Sequence, residues 1–287
     1  MAHYLTPRTT QEALDALGRG GFSIVAGGTD FYPARVGRAV TESILDVSAL
    51  SELRGIGEED GQYRIGALTT WSDVARADLP PHFDGLKLAA REVGGLQIQN
   101  TGTVAGNICN ASPAADGTVP LLAMDARVEL RSLEGSREVD LASFVTGNRQ
   151  TLLRPGEMVT AVLVPKPSHP ARSTFIKLGA RRYLVISIVS VAVVLELDAG
   201  RVAAARIAVG ACSPVPVRLM ALEAHLTGQP LAPGLGEAET TGLGEAVTPD
   251  HLAPLSPIDD VRATAAYRRE AAHTLLRRAL DGLAGQG

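Results

Sequence analysis

The sequence predicts an α+β protein: a small β–α–β unit, a mixed second unit, and a three-stranded antiparallel sheet with helices. Three observations predict it. Helix-like and strand-like apolar patterns alternate over the first fifty residues. A proline-rich connector, PKPSHPARS (165–173), divides the chain. Beyond it stand three long strand patterns, followed by helical ones.

Each element has its own local reason. Thr9 or Thr10 caps a helix through QEALDAL, which Gly18, Gly20 and Gly21 end. FSIVAGGTDFYP (22–33) reads as a short strand running into a glycine turn, and SILDVSAL (43–50) as another strand. YRIGAL (63–68) is a strand leading to a helix capped near Thr70 or Ser72. DGLKLAAREV (84–93) is helical, with Leu86, Ala89, Ala90 and Val93 on one face. TGTVAGNICNASPAAD (101–116) is too small and polar for a core strand, and too rich in Gly and Asn for a good helix. VPLLAMDA (119–126) is helical. RVELRS (127–132), MVTAVLVP (158–165), STFIKLGA (173–180), ISIVSVAVVLEL (186–197) and RVAAARIAVGA (201–211) are strand-like. Helices are expected near 216–226 and 261–283. In the last, Val261, Ala265, Ala272, Leu275, Ala279 and Leu283 share a helical spacing, and Arg262, Arg268, Arg269, Arg277 and Arg278 mostly fall elsewhere around it. GQPLAPGLGEAETTGLGEA (228–246) reads as a loose loop.

Composition excludes several classes of function. A chain of 287 residues, 45% hydrophobic and 20% charged, can bury a sizeable core, more naturally divided into two or three units than one. Net charge is −4 and no basic block appears, which argues against a nucleic-acid partner. The start, MAHYLTPRTT, lacks the basic and apolar regions of a signal peptide. The most apolar run, 183–197, is short for a membrane span and β-branched like a buried strand. A soluble cytoplasmic protein without membrane insertion is the expectation. Cys109 and Cys212 are the only cysteines, fewer than an iron–sulfur cluster needs, and read as small buried residues. The six histidines show no ligand spacing, so no metal site is expected.

Two segments share a chemical profile. AGGTD (Ala26, Gly27, Gly28, Thr29, Asp30) follows an apolar strand. Adjacent glycines let another group approach the backbone, and a tight turn can aim successive N–H groups at an anion such as a pyrophosphate. TGTVAGN (101–107) offers the same materials: Gly102, Ala105 and Gly106 for approach, with Thr101, Thr103 and Asn107 as donors. Neither is a P-loop or a GxGxxG opening a helix, and singly each is only a turn. Together they suggest a nucleotide held between two loops from two subdomains. Asp116 stands before a helix-like stretch, either as its N-cap or as an acceptor for a ribose or base.

AGGTD, TGTVAGNICNASPAAD, FIKLGARRYLVISIVSVAVVLEL and DDVRATAAYRREAAHTLLRRAL, in that order, resemble the FAD-binding medium subunit of molybdenum hydroxylases, the xanthine dehydrogenase and carbon monoxide dehydrogenase relatives. The resemblance covers residues 3 to 283. It implies a two-subdomain FAD-binding fold of the vanillyl-alcohol-oxidase (PCMH) type over 1–170, split near 55, and the family's C-terminal domain over 174–287. It places Ala26 to Asp30, and Thr103, Val104, Ala105, Gly106 and Asn107, on the FAD pyrophosphate. Ala105 stands where the family usually has Gly, and a positive φ there would cost alanine energy. Asp116 matches the family's aspartate after ASPxxD. Lys177 matches its lysine near the flavin, against the alternative of a solvated strand-edge lysine. Tyr183 matches an aromatic that stacks on the isoalloxazine, against the alternative of a packed strand residue. No cysteine-rich insertion for an extra cluster is present.

What the resemblance implies is one relay of a larger enzyme. A molybdenum-cofactor large subunit would hydroxylate the substrate, and a small subunit with [2Fe–2S] clusters would carry single electrons. FAD on this chain would pass pairs of them to an external acceptor, in an assembly expected to be a dimer of heterotrimers. No catalytic base or nucleophile is required of this chain. Two rivals stay open: a self-contained FAD-dependent oxidase, and a flavin-free scaffold of the same fold.

Overall fold

A computed structural model describes residues 2–231 and 242–285. In chain order, β1 (Tyr4–Leu5) leads to α1 (Thr10–Gly18), capped by the Thr9 side chain, which accepts from the Glu12 N–H. β2 (Phe22–Val25), β3 (Ser43–Asp46), β4 (Ile56–Glu59) and β5 (Gln62–Gly66) come next. α2 (Trp71–Arg76) opens on a capping box in which Thr70 and Asp73 each accept from the other's N–H. After it stand α3 (Asp84–Glu92), α4 (Leu96–Thr101), α5 (Val104–Asn110) and α6 (Thr118–Ala123). β6 (Arg127–Ser132), β7 (Gly135–Asp140), the single turn α7 (Leu141–Phe144), β8 (Val145–Gly147) and β9 (Gln150–Thr151) lead to β10 (Met158–Pro165). β11 (Ala171–Leu178), β12 (Val189–Asp198), β13 (Arg201–Gly210), β14 (Val217–Arg218), α8 (Met220–Leu226) and α9 (Ala265–Ala284) complete the described chain.

These elements form two compact units. The first takes the chain up to Ala77, Gly95–Ala111 and Asp125–Pro165. Its parallel sheet, ordered β1-β3-β2, buries Leu45 and Val47 against Ala13, Leu14, Ala16 and Leu17 of α1. That is the β–α–β unit expected from sequence. Its second sheet is ordered β4-β5-β10-β6-β7 and is antiparallel throughout. β10 lies at the centre because it is apolar on both faces, and Met158 to Val164 are all buried.

The second unit takes Asp78–Gly94, Ser112–Met124 and the chain from Lys166 onward. Its three long strands pair antiparallel in the order β11-β12-β13, and the two-residue β14 adds a fourth at the edge. Val189, Val191, Val193 and Leu195 of β12 share a core with Leu222 and Leu226 of α8 and Leu275, Leu276 and Leu280 of α9. Ser190 points the other way, toward Gly210, where an added Cβ would lie 2.5 Å from Val119 of α6. α3 packs on β11: the Gly85 N–H donates to Ser173 Oγ at 2.8 Å, and a Cβ on Gly85 would meet the Thr174 carbonyl at 2.9 Å.

Several sequence expectations need correction. The stretch from 101 is not all loop, because α5 forms within it and α4 precedes it. Thr103 makes this possible: its hydroxyl oxygen accepts from the Gly106 N–H at 3.0 Å and offsets the poor helix propensity of Gly106 and Asn107. Ala105 lies inside α5 with no positive φ, so alanine meets no backbone penalty there. The strand over 43–50 ends at Asp46. α9 begins at Ala265, and Val261, fully exposed, is not part of its apolar face. Arg268 is buried rather than on the solvent side. The loop reading for 228–246 falls largely outside the described residues, although Leu243–Ala246 form a short 3-10 turn.

Candidate functional site

The first unit brings the two glycine-bearing segments into contact. A Cβ on Gly27 would collide with the Thr101 carbonyl oxygen and sit 2.5 Å from its carbon. A Cβ on Gly102 would lie 3.3 Å from the Thr29 hydroxyl. Gly27 is therefore glycine because one backbone rests on another. Gly28 has φ +67, a left-handed conformation that closes the turn after β2, with the Tyr32 ring beside its Cα. The Gly28 and Asp30 carbonyls accept from the Tyr32 and Ala34 N–H groups at 3.2 and 3.1 Å. Among the described residues, the amides of Gly27, Gly28, Thr29 and Asp30 donate to no protein acceptor.

The second segment is satisfied largely from within. The Val104 N–H donates to the Thr69 carbonyl at 2.9 Å and the Asn107 N–H to the Thr103 carbonyl at 3.0 Å. Val104 and Ala105 are buried, and the α5 helix packs against β10. Thr103 accepts as an N-cap, which leaves its own O–H proton available to donate. A turn with four unpaired amides and no side chain at two positions suits an anionic oxygen cluster.

Asp116, Lys177 and Tyr183 belong to the second unit. Asp116 does not cap α6, whose N-cap is Gly117 with no side-chain bond. Its carboxylate is buried and doubly engaged. Lys177 Nζ donates to Oδ2 at 2.6 Å and Ser187 Oγ donates to Oδ1 at 2.5 Å. Burial pushes the Asp116 carboxyl above its ordinary range, against the pull of the Lys177 ammonium and the Ser187 hydroxyl. Lys177 is buried too, so it is not a solvated edge lysine.

Lys177 lines a cavity of about 560 Å³ whose wall also includes Leu88, Glu92, Phe175, Arg181 and Arg182. Tyr183 follows on a tight loop: Arg181 bonds the Leu184 carbonyl, and a Cβ on Gly179 would press on Val185. The Tyr183 side chain is 58% exposed, with the Arg182 guanidinium 5.4 Å from its ring centroid, so it is not a packed core residue. Ser187 escaped the sequence reading. Its signal was shared: Ser187 and Ser190 both stand in one apolar run, and a buried hydroxyl favours a hydrogen-bond partner.

Residues 1–167 match the family model for the FAD binding domain in molybdopterin dehydrogenase, and residues 174–283 the model for the CO dehydrogenase flavoprotein C-terminal domain. The chain belongs to the FAD-binding medium subunits of the molybdenum hydroxylases. It is 32% identical to the putative xanthine dehydrogenase FAD-binding subunit of Escherichia coli K12, over 83% of this chain and 80% of that one. It is 30% identical to the glyceraldehyde dehydrogenase medium chain of Sulfolobus acidocaldarius, over 98% of each. A structure of reconstituted CO dehydrogenase from Oligotropha carboxidovorans superposes with a TM-score of 0.87 at 26% identity, covering 100% of this chain and 99% of that one. This medium subunit is thus an FAD-binding oxidoreductase subunit of mixed α and β structure. Among the described residues, no helix is long and apolar enough to cross a membrane.

Proposed function

We propose that this chain is the flavin relay of a molybdenum hydroxylase. The observation that supports it best is the Gly27–Thr101 contact, which sets the turn bearing the unpaired amides of Gly27 to Asp30 against Thr101 and Gly102, the residues that lead into Thr103 and α5. Those amides, with the Thr29 and Thr103 hydroxyls, would hold the FAD diphosphate. Ala26, Val104, Ala105, Gly106 and Asn107 would shape the surface beneath it. In the second unit, Lys177 and Tyr183 would face the flavin ring, with Asp116 behind Lys177. When bound, FAD supplies reversible two-electron chemistry, fed one electron at a time by a [2Fe–2S] small subunit and drained by an external acceptor. The chain's own residues bind and orient the cofactor and set the charge around it. Its two cysteines are too few to ligate a cluster, so the single-electron carriers belong to a partner.

The partners of this reading are a molybdenum-cofactor large subunit and a [2Fe–2S] small subunit, as a dimer of heterotrimers in the cytoplasm. The relatives' names, FAD-binding subunit and medium chain, support a multi-subunit enzyme. The test uses the isolated, metal-free chain. It should bind FAD, show flavin absorption, and oxidise no organic substrate. Steady turnover of a small molecule would instead make it a self-contained oxidase, and failure to take up flavin would leave a scaffold.

A further inference from the structure

We infer that Ser187 and Asp116 are positioning residues for Lys177, and that the buried trio sets the positive charge presented to the flavin. The inference rests on the reading that Lys177 faces FAD. It departs from an Asp116 that itself receives the ribose or base.

The geometry carries it. Both Asp116 oxygens already accept from protein donors, one from Lys177 and one from Ser187. Asp116 and Ser187 are 7% and 1% exposed, and neither lines the cavity, whereas Lys177 does. The three come from three segments: Asp116 from the stretch before α6, Lys177 from the end of β11, and Ser187 from the residue before Ile188 and β12. The Ile188 N–H donates to the Leu178 carbonyl at 2.8 Å and closes the hairpin beside them. Lys177 is thus held by a carboxylate whose other oxygen is pinned, so its Nζ has one place to be. In so dry a setting the carboxylate offsets much of the ammonium's charge, and Ser187 divides the carboxylate's attention.

The chemistry assigns a sign to each change. Lys177→Met removes a cation near the cofactor and should lower the flavin midpoint potential, because the reduced form carries more negative charge. Asp116→Asn keeps the shape, leaves the cation uncompensated and should raise it. Ser187→Ala frees the carboxylate to bind Lys177 more closely and should lower it, by less than Lys177→Met.

The experiment measures flavin content, thermal melting and midpoint potential for the three variants in the full chain with FAD. It adds Ser187→Thr as a rescue and the Lys177→Met/Ser187→Ala double variant. The expected result is the stated pattern of signs, partial return with Ser187→Thr, and no effect of Ser187→Ala once Lys177 is absent. An equal shift from Ser187→Ala with and without Lys177 overturns the proposal and makes Ser187 a packing residue. A Lys177→Met protein with full flavin and an unmoved potential overturns the reading beneath it as well. If Ser187→Ala fails to fold, the opposite shifts of Lys177→Met and Asp116→Asn decide, and shifts of the same sign overturn the proposal.

Discussion

Gly27 and Gly28 are adjacent, yet they are glycines for different reasons. Gly27 has no room for a Cβ, because the obstacle is the Thr101 backbone, which cannot swing aside. Gly28 has room if Tyr32 moves, since its Cβ would lie 2.8 Å from that ring, and its cost is the left-handed φ, about 1–2 kcal/mol. Gly27→Ala should therefore cost more melting temperature and flavin than Gly28→Ala, and equal losses in the two would contradict this account. Tyr183 sits at the opposite extreme. Its exposed ring contributes little to folding, so Tyr183→Ala should melt like the parent and keep most of its FAD. If it lies over the flavin, absorption and re-oxidation rate in the assembled complex will change, and unchanged values would remove Tyr183 from the site. The legibility of these residues was uneven. The AGGTD turn could be read because glycine after a strand is a local signal. The Asp116–Lys177–Ser187 cluster could not, because its members stand up to 71 residues apart and only folding joins them.

At the scale of elements, local patterning identified most of the long strands and α1, α2, α3, α6, α8 and α9, because the apolar patterns, and for α1, α2 and α9 the threonine caps, are local to the segments. It missed α5, where one cap outweighs weak propensity, and Thr103→Ala should lower stability by about 0.5–2 kcal/mol in a chemical melt. It also misplaced Arg268. That side chain donates to the Ile188 carbonyl at 2.6 Å, the Ala211 carbonyl at 3.0 Å and Asp260 at 2.7 Å, and so joins α9 to the ends of β12 and β13. No periodicity reveals a helix arginine that serves two distant strand ends. The Arg262 backbone N–H, then the Arg268 and Arg262 side chains, hold the Asp260 carboxyl down to about 2. A folded value below the ordinary 3.8 means a stabilising contribution that is complete above that range and lost as pH falls through about 2. Asp260→Asn should flatten the fall in melting temperature between those two pH values. An acid limb as steep as the parent's would show that other carboxylates dominate it.

For the whole molecule, the decisive fact is that the compact units are not consecutive stretches of chain. The backbone passes between them after Ala77, Gly94, Ala111, Met124 and Pro165. α3 and α6 precede the proline-rich connector, yet Leu86, Ala89, Ala90, Val119 and Leu121 are buried in the unit built mainly from the chain beyond it. A fragment ending at residue 170 would leave these side chains without their sheet, and each large one forfeits about 1.5–3 kcal/mol of burial. All of the first unit lies within that fragment, so it should keep that unit's melt but aggregate through these uncovered side chains, and a fragment that stays monomeric would refute this. The division at the connector is visible in proline-rich composition and coincides with the seam between the two matched family regions, 1–167 and 174–283, whereas the interleaving depends on non-local packing.

The same interleaving bears on how the gene could be divided. A chain break in the connector severs one covalent link. It does not separate α3 from β11, where Ser173 Oγ still donates to the His82 carbonyl at 2.8 Å and accepts from the Gly85 N–H. Of two polypeptides meeting between residues 165 and 173, the N-terminal one would hold all of the first unit together with α3 and α6, and the C-terminal one would hold the second unit's sheet without those helices. Such halves are suited to fragment complementation, in which the second unit forms only where both are present. In block exchange between relatives, a crossover at the connector follows the seam between the two matched family regions, 1–167 and 174–283, yet pairs the β11–β12–β13 sheet with α3 and α6 from another parent, so those helix–sheet contacts are what such an exchange must match.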